Sequence, residues 1–233
     1  MSDNRSPFAV PWGAKDCVKL IFLTIVFIIV SIVLFEIAVH AAGQSSGEGS
    51  SASPVAEFGG QIIFYSAFLA ACWVYFKRKR FKITFATLGF RRTPLAKAFL
   101  WTALIYFLDL IGTVIWVQLV KSEPLPVKKD YGSSILGFVL AFAGIAVLAP
   151  VVEELFFRGI LFQGFSKRLG LIGGGCASAA VFMIFHVDPR VYGRIFISGA
   201  LFAFLYYRTR SLWPSIVCHS VGNSLAVISL FMS

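Results

Sequence analysis

Long apolar runs separated by short polar loops are the dominant pattern of this chain. The first three runs cover residues 20–39, 58–76 and 98–120. Each is long enough to cross a bilayer, because a helix rises ~1.5 Å per residue and the hydrocarbon core is ~30 Å thick. The first run also exceeds the hydrophobic core of a signal peptide. The pattern therefore predicts a membrane-spanning helix that is not cleaved, followed by two more.

The second half of the chain carries four further runs, at residues 134–165, 171–187, 195–207 and 212–232. The fourth run is too long for one straight span, and Pro150 near its middle is predicted to kink or break it. The sixth run is short, so we expect it to be tilted, buried in protein or extended toward Val191. The predicted fold class is an all-α, polytopic transmembrane helical bundle of about seven spans, or eight if Pro150 separates a helical hairpin.

Composition supports the membrane interpretation. Of the 233 residues, 58% are hydrophobic and 14% are charged, whereas about 25% of a typical soluble domain is charged. Too few polar residues remain to cover a soluble surface, which argues against a soluble enzyme and against a disordered chain. The four cysteines lie far apart without a Cys-x-x-Cys pair. We therefore expect them to be small packing residues rather than metal ligands or disulfide partners.

The basic residues predict the orientation of the chain in the membrane. Residues 77–97 alone carry eight of the 21 Lys and Arg residues. With the N-terminus in the cytoplasm, 15 basic residues fall in inside loops. Five fall in outside loops, namely Lys121, Lys128, Lys129, Arg190 and Arg194. The positive-inside rule favours this orientation in the cell (plasma or inner) membrane, with membrane lipid rather than nucleic acid as the partner of the basic loops.

Three charged residues interrupt the apolar run at 134–165. Each costs at least ~2.5 kcal/mol near the middle of a bilayer, so we expect Glu153, Glu154 and Arg158 to have a role there. Glu154 and Arg158 are four residues apart on one helix face and can form an ion pair. Glu153 is rotated by about 100° from Glu154 and gains no partner from this spacing. A carboxylate in such a place suits proton transfer, so we predict that Glu153 is catalytic and that the other two are structural.

Polar side chains also lie in later runs. His186 ends the fifth run, and His219 and Asn223 share one face of the seventh because they are four residues apart. His40 ends the first run and is expected to be inert. Asp109, in the third run, is expected to be structural or to line a pathway. Convergence of the two later histidines with Glu153 at one buried site is compatible with their positions along the helices.

These residues resemble the three motifs of the CPBP family, also called the Abi family, which contains type II CAAX prenyl proteases and bacteriocin-processing enzymes. The first motif is Glu-Glu-x-x-x-Arg at residues 153–158, the second is Phe182 with His186, and the third is His219 with Asn223. The resemblance covers about residues 132–233. It divides the chain into N-terminal transmembrane helices with a basic loop at 1–131 and a catalytic helical core at 132–233.

The resemblance implies intramembrane hydrolysis of a peptide bond. By similarity, Glu153 activates the attacking water and returns the proton to the leaving amine. His186 holds and polarises that water. His219 and Asn223 stabilise the oxyanion, as two donors on one helix face can. Glu154, Arg158 and Phe182 support these groups.

Metal dependence is left open by the resemblance, because the family has often been labelled as metalloproteases. Glu153, His186 and His219 form a set of ligands that zinc accepts. The chain lacks the compact His-Glu-x-x-His motif, so we predict a metal-free enzyme, with a zinc enzyme as the alternative.

The resemblance implies a membrane-associated peptide or protein as substrate, cleaved internally or near a C-terminus that carries a prenylated CAAX sequence. Two other functions compete with the protease. The first is a non-catalytic membrane scaffold or immunity protein that keeps the fold. The second is a proton-coupled transporter in which the Glu and His residues relay protons. The absence of a visible internal repeat argues against the transporter.

Overall fold

The structure is a computed structural model that describes residues 8–41, 53–120 and 131–232. Lys121, Lys128 and Lys129, which the charge argument uses, lie outside these residues. The chain forms two compact units that alternate along the sequence. The first unit contains Met1–Val18, Phe81–Pro124 and Glu153–His219, and the second contains Lys19–Arg80, Leu125–Val152 and Ser220–Ser233. Each unit therefore draws segments from both sides of residue 131, whereas the predicted division at that residue stays a prediction.

The described residues form helices and connecting loops. In chain order the helices are α1 Ala14–Ala41, α2 Pro54–Lys79, α3 Phe85–Leu88, α4 Leu95–Val120, α5 Ile135–Ala141, α6 Ala149–Glu154, α7 Gln163–Ile184, α8 Tyr192–Thr209 and α9 Leu212–Met232. Two π-helical segments join the middle helices, the first at Phe142–Leu148 and the second at Leu155–Phe162. A short 3₁₀ turn, Pro189–Val191, precedes α8.

The all-α class is confirmed, and long apolar helices make the chain a multi-pass membrane protein. Within the described ranges, five helical stretches are long and apolar enough to span a bilayer: Ala14–His40, Pro54–Lys79, Leu95–Val120, Ile135–Ile184 and Leu212–Met232. The stretch Ile135–Ile184 covers most of the fourth and the fifth predicted runs. The sixth run corresponds to α8, which begins at Tyr192 and buries much of its surface in protein, including Phe202 and Leu205.

The predicted break at Pro150 is wrong, and the chain bends elsewhere. Helical structure is continuous across Pro150, so no hairpin forms there. The interruption is instead at Gly170, whose φ of 70° and ψ of −177° depart from helical geometry. A glycine adopts positive φ without the steric cost that a Cβ brings. Pro150 is accommodated because it directly follows the wider turns of the first π segment and the start of α6.

In the first unit, α8 packs against α7, α4 and the second π segment. A buried cluster of Ile105, Phe202, Leu205 and Cys218 joins α4, α8 and α9. The indole of Trp12, which is fully buried, donates a hydrogen bond to the Ile160 carbonyl at 2.9 Å. Through this contact the N-terminal segment packs against the second π segment. The unit therefore holds the segment that follows Glu153 between helices on several sides.

In the second unit, α2 packs against α5 and the first π segment. The Ser134 hydroxyl caps α5 by accepting a hydrogen bond from the Gly137 amide at 3.0 Å. A Cβ at Gly137 would lie 2.1 Å from the Tyr131 carbonyl oxygen, so only glycine fits this close approach. Tyr131, Ala141 and Val227 form a buried cluster in this unit.

Candidate active site

Glu154 and Arg158 form an ion pair that is completely buried. Arg158 Nη1 lies 2.9 Å from Glu154 Oε1, and both side chains are 0% exposed. The structure therefore contains the ion pair that the i,i+4 spacing predicts. Glu154 ends α6 and Arg158 lies in the second π segment, so the pair spans the junction between the two. A buried charge needs such a partner because its desolvation is costly.

Arg158 has further contacts that fix the guanidinium group. Its Nη2 donates a hydrogen bond to the Gly199 carbonyl at 3.2 Å. The guanidinium carbon also lies 4.5 Å from the centre of the Phe182 ring and 5.4 Å from that of Phe202, which is the range of cation–π attraction. A Cβ at Gly199 would lie 3.0 Å from the Cβ of Ala179. The small residue thus permits the close approach of α8 on which the contact with Arg158 depends.

His219 lies between the two neighbouring carboxylates. Its Nδ1 is 3.1 Å from Glu154 Oε1, and its Nε2 is 3.8 Å from Glu153 Oε2. Glu154 pairs with Arg158 and is therefore an acceptor, so His219 Nδ1 carries the proton of that hydrogen bond. The Nε2 atom is then directed toward Glu153. Local spacing gave Glu153 no partner, whereas the fold brings this one from α9.

His186 contacts the ring of Phe182, as His219 does. Its Nδ1 lies 2.9 Å from the Phe182 carbonyl oxygen. A carbonyl oxygen only accepts, so Nδ1 must carry hydrogen and Nε2 of the neutral ring is an acceptor. The ring centres of Phe182 and His186 are 4.7 Å apart, and those of Phe182 and His219 are 6.0 Å apart. Phe182, which is 1% exposed, thus contacts both histidines and Arg158.

Asn223 belongs to the second compact unit, whereas the residues above belong to the first. Its Nδ2 donates a hydrogen bond to the Ile145 carbonyl at 2.8 Å. In the first π segment the Ala149 amide donates to the Gly144 carbonyl, so the next amide, at position 150, would serve Ile145. Pro150 has no amide hydrogen, and the Asn223 side chain supplies the missing donor. One of its two N–H groups is committed here, and its role at the oxyanion stays a prediction.

Two groups at the site escaped the sequence analysis. The Gly199 carbonyl that accepts from Arg158 is a backbone atom and leaves no motif. Beside it, the Ser198 hydroxyl donates to Asp109 Oδ1 at 2.5 Å and ties α8 to α4. Asp109 was noted as a carboxylate inside an apolar run, and that was the available signal for this contact. Whether Asp109 is structural or lines a pathway stays a prediction.

The described residues do not bring together three His, Cys, Asp or Glu side chains in a group that could hold a metal ion. Glu153 and His219 are near each other, but His219 Nδ1 is committed to Glu154. His186 Nδ1 is committed to the Phe182 carbonyl. These contacts engage Nδ1 and not Nε2 of each histidine. A carboxylate or a carbonyl on the second ring nitrogen is also typical of metal-ligating histidines, so metal dependence stays a prediction.

Fold and site together define a multi-pass helical membrane protein with a buried Glu, Arg and His cluster. Residues 135–225 match the family model described as type II CAAX prenyl endopeptidase Rce1-like. A Bacillus subtilis (strain 168) protein named putative membrane peptidase YdiL is 32% identical over 83 residues, which cover 36% of this chain. The match covers only about a third of that relative's length (34%). No solved structure matches.

The two matches confirm the resemblance to the CPBP and CAAX protease family that the three motifs indicate. The family match covers all the motif positions, from Glu153 to Asn223. The chain is therefore a membrane protein similar to the CAAX proteases.

Proposed function

We propose that this protein is an intramembrane endopeptidase in which Glu153 activates water to cleave a peptide bond of a membrane-associated peptide or protein. The observation that carries the proposal is the position of His219 Nε2, 3.8 Å from Glu153 Oε2. Glu154, held by Arg158, accepts from Nδ1 of the same ring. This arrangement is compatible with a donor at Nε2 beside the base, as hydrolysis through an oxyanion requires.

In the proposed reaction Glu153 first removes a proton from water. The resulting hydroxide oxygen bonds to the carbonyl carbon of the substrate, and the carbonyl oxygen becomes an oxyanion. His219 in its imidazolium form donates from Nε2 to that oxyanion, while its other N–H remains with Glu154. Asn223 is proposed to add a second donor with the N–H that Ile145 does not use. When the tetrahedral intermediate collapses, the carbon–nitrogen bond breaks and Glu153 returns its proton to the leaving amine.

His186 has a complementary role in this proposal. Because its Nδ1 donates to the Phe182 carbonyl, its Nε2 accepts a hydrogen bond from the attacking water. An acceptor in this position orients the oxygen lone pair toward the substrate and assists proton removal by Glu153. The substrate that the resemblance favours is a protein with a prenylated CAAX C-terminus.

The test is the replacement of Glu153 by Gln, which keeps the shape of the side chain and removes the base. We expect a loss of at least ~100-fold in kcat, measured with purified protein on a fluorogenic CAAX peptide in farnesylated and unmodified forms. The Glu36→Gln variant changes a carboxylate of α1 outside the site and is the matched control. A cellular phenotype of the protein that survives Glu153→Gln would favour the scaffold interpretation, whereas cleavage that survives would show that Glu153 is not the base. A loss of proton-coupled uptake without any change in cleavage would favour the transporter.

Metal dependence is tested in the same assay. We expect cleavage to persist after prolonged dialysis against a strong chelator, because in the proposed mechanism Glu153 activates the water without a metal ion. Loss of activity that zinc restores would contradict the metal-free mechanism and leave the site assignment intact.

A further inference from the structure

The connection that follows His186 is strained and must be held by its neighbours. Val187 has a φ of 59°, a left-handed conformation that β-branched residues strongly disfavour. Such a conformation persists only where the surrounding structure imposes it. Val187 is itself 78% exposed, so packing of its own side chain does not impose the strain. The restraint must come from the residues on either side.

Within the connection, Asp188 and Arg190 form a closed turn. Asp188 Oδ1 accepts from the Arg190 amide at 2.9 Å and from Nε at 3.0 Å, and Oδ2 accepts from Nη2 at 2.8 Å. The side-chain hydrogen bond from Arg190 lowers the pKa of the Asp188 carboxyl. The Asp188 amide also lies 2.6 Å from the His186 carbonyl oxygen, to which it donates. Asp188 therefore connects Arg190 to the His186 carbonyl by hydrogen bonds, so that a displacement of Arg190 also displaces His186.

Trp116, in α4, contacts this turn from a neighbouring helix. Its indole Nε1 donates to the Arg190 carbonyl at 2.8 Å. Its ring lies directly against the first turn of α8, where a Cβ on Gly193 would be 2.0 Å from a ring carbon. Glycine at 193 is thus required for the ring to reach this position. The ring and the hydrogen bond together fix the turn relative to α4.

We propose that Trp116 is a positioning residue for His186, acting through the hydrogen bond to the Arg190 carbonyl. The inference rests on the proposed function, in which His186 orients the attacking water. Since the loss of about 1 Å of precision can cost about 100-fold in rate, a loosened turn is expected to lower kcat. We expect little effect on KM, because the proposed role of Trp116 is to restrain the turn and not to bind the substrate.

Trp116→Phe removes the indole donor and keeps an aromatic ring on Gly193. The expected result is a decrease of about tenfold in kcat with KM and the midpoint of thermal unfolding unchanged. Trp101→Phe is the matched control, because Trp101 lies toward the opposite end of the same helix and packs edge-to-face against Phe204, with the ring centres 5.7 Å apart. Gly193→Ala, which displaces the ring, is expected to reproduce the effect of Trp116→Phe by an independent route.

Two readouts separate positioning from a general structural role. In a His186→Gln background, Trp116→Phe is expected to cause no further loss of kcat, because the group it positions has been removed. Acylation by diethyl pyrocarbonate, resolved by mass spectrometry, is expected to become several-fold faster at His186 and to stay unchanged at His40. An equal loss in both backgrounds, or unchanged kcat and unchanged acylation of His186, would overturn the proposal.

Failure of this inference is distinguishable from failure of the proposed function. If Glu153→Gln abolishes cleavage and Trp116→Phe behaves like Trp101→Phe, only the positioning role is wrong. If Glu153→Gln leaves cleavage intact, the proposed role of Glu153 fails, whereas the acylation rate of His186 still reports whether Trp116 restrains the turn.

Discussion

Arg158 is the residue whose burial most needs explanation. Its charge is removed completely from solvent and is balanced by Glu154 at 2.9 Å, the Gly199 carbonyl and the faces of Phe182 and Phe202. Burial of an ion pair adds little stability by itself, but removal of one partner leaves an uncompensated charge. Arg158 is therefore a residue that the fold tolerates only as part of its network.

We expect Arg158→Met to lower the free energy of unfolding by about 3–5 kcal/mol, because Glu154 then remains as a buried charge. The double variant Glu154→Gln with Arg158→Met is expected to be more stable than Arg158→Met alone, since no charge is left over. Thermal unfolding of the detergent-solubilised protein measures both. A single variant as stable as the wild type would show that Glu154 is neutral or solvated in the native state.

At the residue scale, helix periodicity predicts contacts within a turn and fails for contacts across the fold. The pair of Glu154 and Arg158 follows from a spacing of four residues. The partner of both carboxylates, His219, is 65 residues from Glu154, and no periodic pattern relates positions that far apart. Motif resemblance named His219, but its place between Glu153 and Glu154 required the tertiary structure.

At the element scale, the first π segment and Asn223 together allow Pro150 to lie within a continuous helix. The π segment widens the helix where the proline ring would otherwise clash with the preceding turn. As a consequence, the Ile145 carbonyl has no hydrogen-bond donor from the backbone of position 150. Asn223 Nδ2 donates to that carbonyl at 2.8 Å. A proline inside an isolated helix is expected to kink or break it. The sequence pattern does not show that a side chain from another helix supplies a donor here.

This arrangement predicts that the effect of Asn223 on stability depends on Pro150. Asn223→Ala is expected to cost about 1–3 kcal/mol, the penalty for a partly buried carbonyl left without a hydrogen bond. In a Pro150→Ala background, which restores the backbone N–H, the same change is expected to cost much less. Chemical denaturation of the wild type, the two single variants and the double variant measures this double-mutant cycle. Equal costs in both backgrounds would mean that Ile145 is not the group that Asn223 stabilises.

At the scale of the whole molecule, composition predicts that lipid surrounds the chain and that the fold is all-α. It does not predict which segments form the two compact units. Both units combine segments from distant parts of the sequence. Apolar runs have much the same pattern wherever they pack, because lipid and protein interiors are both apolar. The pattern of runs therefore shows where helices lie along the chain and not which helices pack together. Small residues such as Gly199, which let helices approach, acquire meaning only once their neighbours are known.

Orientation in the membrane is the property of the whole chain that the charges predict most directly. With the N-terminus inside, Arg78 follows the second run and lies in the cytoplasm, and five further runs place Met232 outside. Both side chains are exposed in the structure. In a background without the native cysteines, Arg78→Cys is expected to react with a membrane-impermeant maleimide only after the cells are permeabilised. Met232→Cys is expected to react in intact cells.

Reaction of both positions from the same side would contradict an odd number of crossings between them and would favour eight spans. The reverse pattern, with Arg78→Cys labelled in intact cells, would place the 15 basic residues of the predicted inside loops outside the cell. Such a result would violate the positive-inside rule and would require a determinant of orientation other than charge. The loss of one basic residue in Arg78→Cys does not compromise the test, because the remaining excess of basic residues still favours the same orientation.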